Sequence, residues 1–161
     1  MGMSDFERTE LKKHWNTMTS EDKDEFLEEI HEFLDSKGSV EMILYVGNNE
    51  GDVTFNQIDE HVDAARSTLN ARRIQALELD VLEVDIKNTG DEEVKVYNFD
   101  IYGHALFGKM TYMRLPEKYI AYKEARSAYE QKKDELDNWI TDSESVSETI
   151  EELTRRFGWE Y

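Results

Sequence analysis

Helical spacing governs this sequence except between Val81 and Phe99, and that interruption constrains everything around it. Val81, Leu82, Val84 and Ile86 form a β-branched-rich run. Lys87-Asn88-Thr89-Gly90-Asp91 has hairpin-loop chemistry, and Val94, Val96, Tyr97 and Phe99 make a second, alternating run. The pattern predicts a two-stranded hairpin. Directly before it lies Ala64–Leu77, AARSTLNARRIQAL, which holds Arg66, Arg72 and Arg73 and no acid. The 161-residue chain has 37 Asp and Glu against 19 Lys and Arg, a formal net charge of −18, so such a window is out of character. Its Ser, Thr, Asn, Gln and Arg side chains are the types that reach phosphates and base edges. A hairpin straight after such a helix has the position of a wing. The competing view is an amphipathic helix whose arginines pair with surrounding acids.

Upstream, residues 4–16 carry a rough apolar stripe that predicts a short helix. Thr17-Met18-Thr19-Ser20 supplies N-cap candidates, with Glu21 and Asp22 in the following turn. Phe26, Leu27, Ile30, Phe33 and Leu34 then recur at three- and four-residue spacing, which predicts a helix over about 20–36 closed by Gly38. Ser39 reads as the N-cap of the next helix, with Val40, Ile43 and Leu44 on its buried face. Gly47-Asn48-Asn49-Glu50-Gly51-Asp52 is a turn by composition. Thr54 caps a short helix with Phe55, Ile58 and Val62, and a break near Asp63-Ala64 precedes the arginine-rich helix. Short helix, tight turn and longer polar-faced helix is the helix-turn-helix order.

Downstream, Ile101 to about Met110 reads as a short helix, and Leu115-Pro116 opens a longer one, proline being tolerated in the first turn. Tyr119, Tyr122, Ala125, Tyr129, Leu136, Trp139 and Ile140 are expected along one face. Tyr122, Tyr129 and Leu136 stand at heptad spacing, with Ala125, Lys132 and Trp139 as a companion series. A dimerising helix is favoured over one lying on the protein's own core, because tyrosine joins an apolar body to a hydroxyl that can stay wet. Asp142–Ser145 reads as a linker and Ser145-x-x-Glu148 as a capping box. Val146, Ile150, Leu153 and Phe157 follow on the face of a last helix.

Several classes are disfavoured. The N-terminus lacks an apolar signal core and no apolar run approaches a membrane span, so a cytoplasmic protein without membrane association is expected. There is no cysteine, hence no disulfide and no thiol nucleophile. His14, His31, His61 and His104 are scattered without metal-ligand spacing, His61 alone lying near the expected DNA face. Neither G-x-S-x-G nor G-x-x-x-x-G-K-[ST] occurs, and no carboxylate pair stands out, so the chain is read as non-enzymatic, with no cofactor and no metal. The acids are dispersed along most segments, which favours a solvated coat like that of extreme halophiles. At molar salt the Debye length is roughly 3 Å, so a distant acidic surface is screened.

The segment from Val40 to about Met110 resembles winged-helix regulators of archaea and bacteria, in the broad MarR/ArsR/PadR-like group. V-T-F-N-Q-I (Val53–Ile58) matches the support helix and R-S-T-L (Arg66–Leu69) opens the recognition helix. L-E-L-D-V-L-E-V (Leu77–Val84) leads into the wing, and Y-N-F-D-I-Y-G-H-A-L-F (Tyr97–Phe107) is similar to the post-wing helix, with Gly103 at its glycine. With its acidity, the chain looks like a regulator from haloarchaea or their viruses. It departs from the group at Val62-Asp63-Ala64-Ala65, where glycine is usual, and in the Leu69–Ile74–Leu77 spacing. Either Ala71, Ile74 and Leu77 face inward, or Leu69 packs at the N-terminal edge of the helix.

The expected fold is therefore mainly α with a small β-hairpin wing. It divides into an N-terminal helical extension (1–38), a winged helix-turn-helix DNA-binding domain (39–112) and a C-terminal helical dimerisation region (113–161). The resemblance implies a homodimer that sets recognition helices (about 65–78) into successive major grooves of double-stranded DNA, about 34 Å apart. Arg66, Ser67, Thr68, Asn70, Arg72 and Arg73 would make the contacts there. In the wing (about 81–99), Lys87, Asn88 and Thr89 would touch phosphate or the minor groove, and Thr54 and Gln57 would anchor phosphates. No small-molecule effector is specified by the residues. The runner-up is a protein-binding winged-helix adaptor or antirepressor. A DNA reader should show a neutral-to-positive stripe over 66–73 and 87–89, and an adaptor should project acids there, for instance Asp59, Glu60 and Asp63.

Overall fold

The computed structural model describes residues 3–157. In chain order the elements are α1 (Asp5–Thr17), α2 (Ser20–Asp35), α3 (Ser39–Asn48), α4 (Phe55–His61), α5 (Arg66–Glu78), β1 (Leu82–Thr89), β2 (Glu92–Phe99), α6 (Ile101–Tyr112), α7 (Leu115–Thr141) and α8 (Ser143–Phe157). The protein is mainly helical with one small antiparallel hairpin. Its contacts divide it into two units, Met1–Arg114 and Leu115–Tyr161.

The first unit is built on caps and one shared core. Ser4 accepts from the Glu7 amide (3.1 Å) to start α1, and Thr19 accepts from Asp22 (3.1 Å) to start α2. Ile30 and Phe33 of α2, Met42, Ile43, Leu44 and Val46 of α3, Ile58 of α4 and Leu69 and Ala76 of α5 are buried together. Val81, Leu82, Val96 and Phe99 join them from the hairpin, so the strands plug into the helices through their inner ends. α1 packs on α6, and α2 packs on α3 and α5, so the 1–38 segment rests on the rest of this unit.

Ser39 is not the cap expected of it. It is the first residue of α3, fully buried, and its hydroxyl donates to the carbonyls of Ser36 (2.8 Å) and Leu34 (3.1 Å). The cap position belongs to Gly38, at φ 88°, a conformation glycine adopts without steric penalty. A side chain there would also crowd Leu69 of α5, whose Cδ2 would lie 3.2 Å from the added carbon.

The strands pair from Leu82↔Phe99 out to Thr89↔Glu92. The loop is therefore shorter than its composition suggests. Lys87, Asn88 and Thr89 belong to β1, and only Gly90 and Asp91 turn, with Gly90 at φ 67°. Glycine at the first central position matches a two-residue II′ hairpin turn. A third stretch joins the sheet. Val53 forms an isolated antiparallel bridge with Tyr97, through N–H to O contacts of 2.7 and 3.3 Å. Asn98 fastens the preceding turn, its Oδ1 accepting from the Asp52 amide (2.8 Å).

α6 comes in close beneath the hairpin. Asp100 and Tyr102 amides donate to the Val81 (3.0 Å) and Asp80 (3.1 Å) carbonyls, and Gly103 lies against the Val81 carbonyl with no room for a Cβ.

In the second unit α7 and α8 contact each other across the single residue Asp142. The expected linker and Ser145 capping box are replaced by Asp142 itself. Its carboxylate accepts from the Glu144 amide (3.2 Å) and the Ser145 hydroxyl (2.7 Å). Trp139 donates from Nε1 to Thr149 Oγ1 (3.0 Å). Among the described residues of this unit none is buried. The side chain of Phe157, expected on the apolar face of α8, lies outside the described residues. Among those described, no helix is long and apolar enough to cross a membrane.

Candidate nucleic-acid interface

α5 is rotated so that Leu69 and Ala76, seven residues apart, enter the core. Two helical turns separate them, so they lie on one face. Ser67, Ala71 and Ile74 then point outward, with Ile74 43% exposed. This settles the spacing question in favour of Leu69. The alternative with Ala71, Ile74 and Leu77 inward does not hold, since Ala71 and Ile74 are exposed and Leu77 is half-buried. Between its ends, the outward face of α5 is neutral. Ser67, Asn70, Ala71 and Ile74 are bounded by Asp63 before the helix and Glu78 at its end.

The arginines flank that face rather than crown it. Arg66 donates to Asp59 Oδ2 (2.8 Å) and Asn56 Oδ1 (3.1 Å). Its guanidinium lies 4.8 Å from the centre of the Phe55 ring, and Arg73 lies 5.5 Å from the same ring. Arg73 also donates to the Tyr97 hydroxyl (3.0 Å) and holds Asn70 by its Oδ1 (2.7 Å), leaving the Asn70 amide N–H groups as its donor end. Arg72 reaches the other way, to the Lys37 carbonyl (3.1 Å) and to Gln75. Thr68 is half-buried beside Leu69.

The flanking elements are less open to a phosphate backbone. Thr54 and Gln57 are committed to a reciprocal capping box, with Gln57 N to Thr54 Oγ1 at 3.2 Å and Thr54 N to Gln57 Oε1 at 2.9 Å. His61 donates to the Gln57 carbonyl (2.9 Å) and stacks on Tyr45 at 4.9 Å. On β1 Lys87 is paired with Asp52. Hydrogen bonds from Lys87 and Asn98 hold the Asp52 carboxyl below its ordinary range. Asn88 and Thr89 are exposed, but they stand opposite Glu93 and Glu92, with Asp91 in the turn. The hairpin tip is thus acidic.

Sequence reasoning missed Phe55, the ring that organises Arg66 and Arg73. It missed Asp59 as the partner of Arg66 and Tyr97 as the partner of Arg73. The Arg66–Asp59 pair spans the turn between two helices, where no helical or strand period brings partners together. Tyr97 is brought beside α5 as the partner of Val53 in the isolated bridge, and that bridge has no local sequence signature.

A comparison with protein-family models, with curated proteins and with solved structures found no match.

Proposed function

We propose that the first unit is a winged helix-turn-helix and that the protein is a sequence-specific DNA-binding transcription regulator acting as a homodimer. The observation that carries this reading is the order α3, Val53 bridge, α4, α5, hairpin, with α5 laid against both α4 and β1. That order exposes one face of α5 beside a projecting hairpin, the arrangement a major-groove reader needs. On this reading Ser67 and Asn70 face base edges, Ala71 and Ile74 meet thymine methyls, and Arg66 and Arg73 reach phosphates from the flanks. Both arginines sit on the Phe55 ring, and contact with phosphate would displace Asp59 from Arg66. α7 joins the two copies through Tyr119, Tyr122, Ala125, Tyr129 and Leu136.

A second reading is favoured by the acids at the wing tip and by the pairing of Arg66 with Asp59 and Lys87 with Asp52. It is a protein-binding adaptor or antirepressor whose acidic face meets a basic partner. A mobility-shift and footprinting assay at near-molar KCl, on DNA from around the protein's own gene, separates the two. The DNA reading expects a protected site, weakened about tenfold or more by Asn70→Ala as the lost base contact requires. It expects further weakening by Arg66→Ala with Arg73→Ala. No protected site, or unchanged binding in these variants, rejects it in favour of the adaptor.

A further inference from the structure

We propose that the groove between α1 and α6 binds a small amphipathic organic anion, a flat apolar body carrying one carboxylate. The inference is independent of the DNA reading.

Arg8, Leu11, Lys12 and Trp15 follow one another at helical spacing, so one face of α1 carries both an apolar wall and a cationic rim. Tyr102 and Ala105 of α6 form the facing wall. The cavity measures about 380 Å³, within the size range of small-molecule sites. A partner helix, whose apolar anchors run over several turns, needs a longer trough. The aromatic floor is fixed in advance. Tyr102 packs on Phe26 with ring centres 4.4 Å apart, Trp15 meets Phe26 edge-on at 6.5 Å, and His14 Nδ1 hydrogen-bonds the Tyr102 hydroxyl (2.7 Å). Ala105 is the small residue that leaves the space between them open.

The charge of the rim decides the class of ligand. In a chain with 37 acids and 19 bases, no carboxylate among the described residues lines this cavity. Glu7 and Glu10 of α1 line a separate cavity with His14 and His104. Among the described residues, neither Arg8 nor Lys12 is engaged by a side-chain hydrogen bond or ion pair. Lys23 adds a positive charge 5.2 Å from the Trp15 ring centre. Arg8 and Lys12 border the apolar slot with their stems. A guanidinium and an ammonium on such flexible stems can reach a carboxylate carried by an apolar body seated there, and they favour it over its neutral or cationic counterpart.

Calorimetric titration of the full chain with 1-naphthoate, 1-naphthylmethanol and 1-naphthylmethylamine tests this, in buffer where circular dichroism shows the helical spectrum. Naphthoate is expected to bind at one site per chain, about tenfold tighter than the alcohol, as one charge-assisted hydrogen bond supplies. The amine is expected not to bind. Arg8→Gln with Lys12→Gln should bring naphthoate down to the alcohol's affinity. Ala105→Trp should fill the slot and remove both while the helical spectrum stays. Equal binding of naphthoate and alcohol by the wild type, or an undiminished preference in the double variant, overturns the proposal. So does absence of naphthoate binding together with a dimer that Ala105→Trp dissociates in sedimentation, which would assign the groove to a second copy.

Discussion

At Gly103 a methyl group would be driven into the Val81 carbonyl oxygen and toward the Phe99 ring. The oxygen is backbone and already accepts from the Asp100 amide, so it cannot withdraw without shifting the junction of α5 and β1. Gly103→Ala is expected to destabilise by about 1–3 kcal/mol, the range for overpacking, seen as a lower urea midpoint with unchanged slope. At Gly47 the nearest atoms to an added methyl belong to the ring of Phe107, a half-buried side chain rather than backbone, so Gly47→Ala should lose less. The resemblance places Gly103 at a helix glycine, but the carbonyl it touches is more than twenty positions away and leaves no local trace. Nearby, burial raises the Glu83 carboxyl, helped by Asp100, Asp85 and Glu7, and burial with Asp100 raises Asp80. A carboxyl raised by folding binds its proton more tightly in the native state, so these groups destabilise at neutral pH. That penalty is relieved as pH falls through their raised values toward the ordinary carboxylate range. Glu83 is exposed enough for solvent to damp the effect. Glu83→Gln is expected to raise Tm at pH 7 by about one or two degrees, with the gain vanishing near pH 4. A lower Tm at pH 7 would contradict it.

Among the elements, those with strong periodicity and caps were legible to within a residue or two. α2 is announced by Thr19 and the Phe26–Leu34 spacing, and α4 by Thr54. The ends that misled are those where two elements compete for the same polar residues. Ser39 has cap chemistry but lies in a corner so tight that its hydroxyl turns back to α2. Ser145 has a Glu three residues on, yet Asp142 already holds the helix start. Lys87-Asn88-Thr89 has loop composition, but pairing with β2 carries it into the strand. The rotation of α5 was legible only as a pair of alternatives, because Arg72 and Arg73 sit half-buried beside the core and blur the apolar stripe. The capping box on α4 separates structural from binding roles. Thr54→Ala is expected to lose about 1 kcal/mol of stability, with Thr54→Ser close to wild type. On the DNA reading, affinity measured well below Tm should stay within about twofold if the hydroxyl serves only as the acceptor that caps the helix for the Gln57 amide. A large loss of affinity without a loss of stability would show that Thr54 contacts phosphate after all.

For the molecule as a whole, the middle of the apolar face of α7 is exposed. Tyr122 is 58% exposed, Tyr129 68% and Leu136 53%, although they repeat at the spacing of an interhelical seam. Trp139 differs, being half-buried and tied to Thr149, so it braces α8 and contributes less to any seam. Joining two copies through the tyrosine stripe would cover this face and, on the DNA reading, double the contacts with DNA. The net charge of −18 opposes both associations at low salt and is screened at high salt, where the Debye length shrinks to roughly 3 Å. Sedimentation at near-molar KCl and tens of micromolar protein is therefore expected to give a dimer. Tyr122→Glu with Tyr129→Glu should give a monomer of unchanged helicity, since neither ring is buried within the unit. If both half-sites are read by one dimer, that monomer should bind the same DNA about 100-fold more weakly, the loss expected when linked sites are uncoupled. A wild-type monomer under these conditions would remove the two-half-site arrangement. A monomeric variant with undiminished affinity would show that one copy reads the DNA alone.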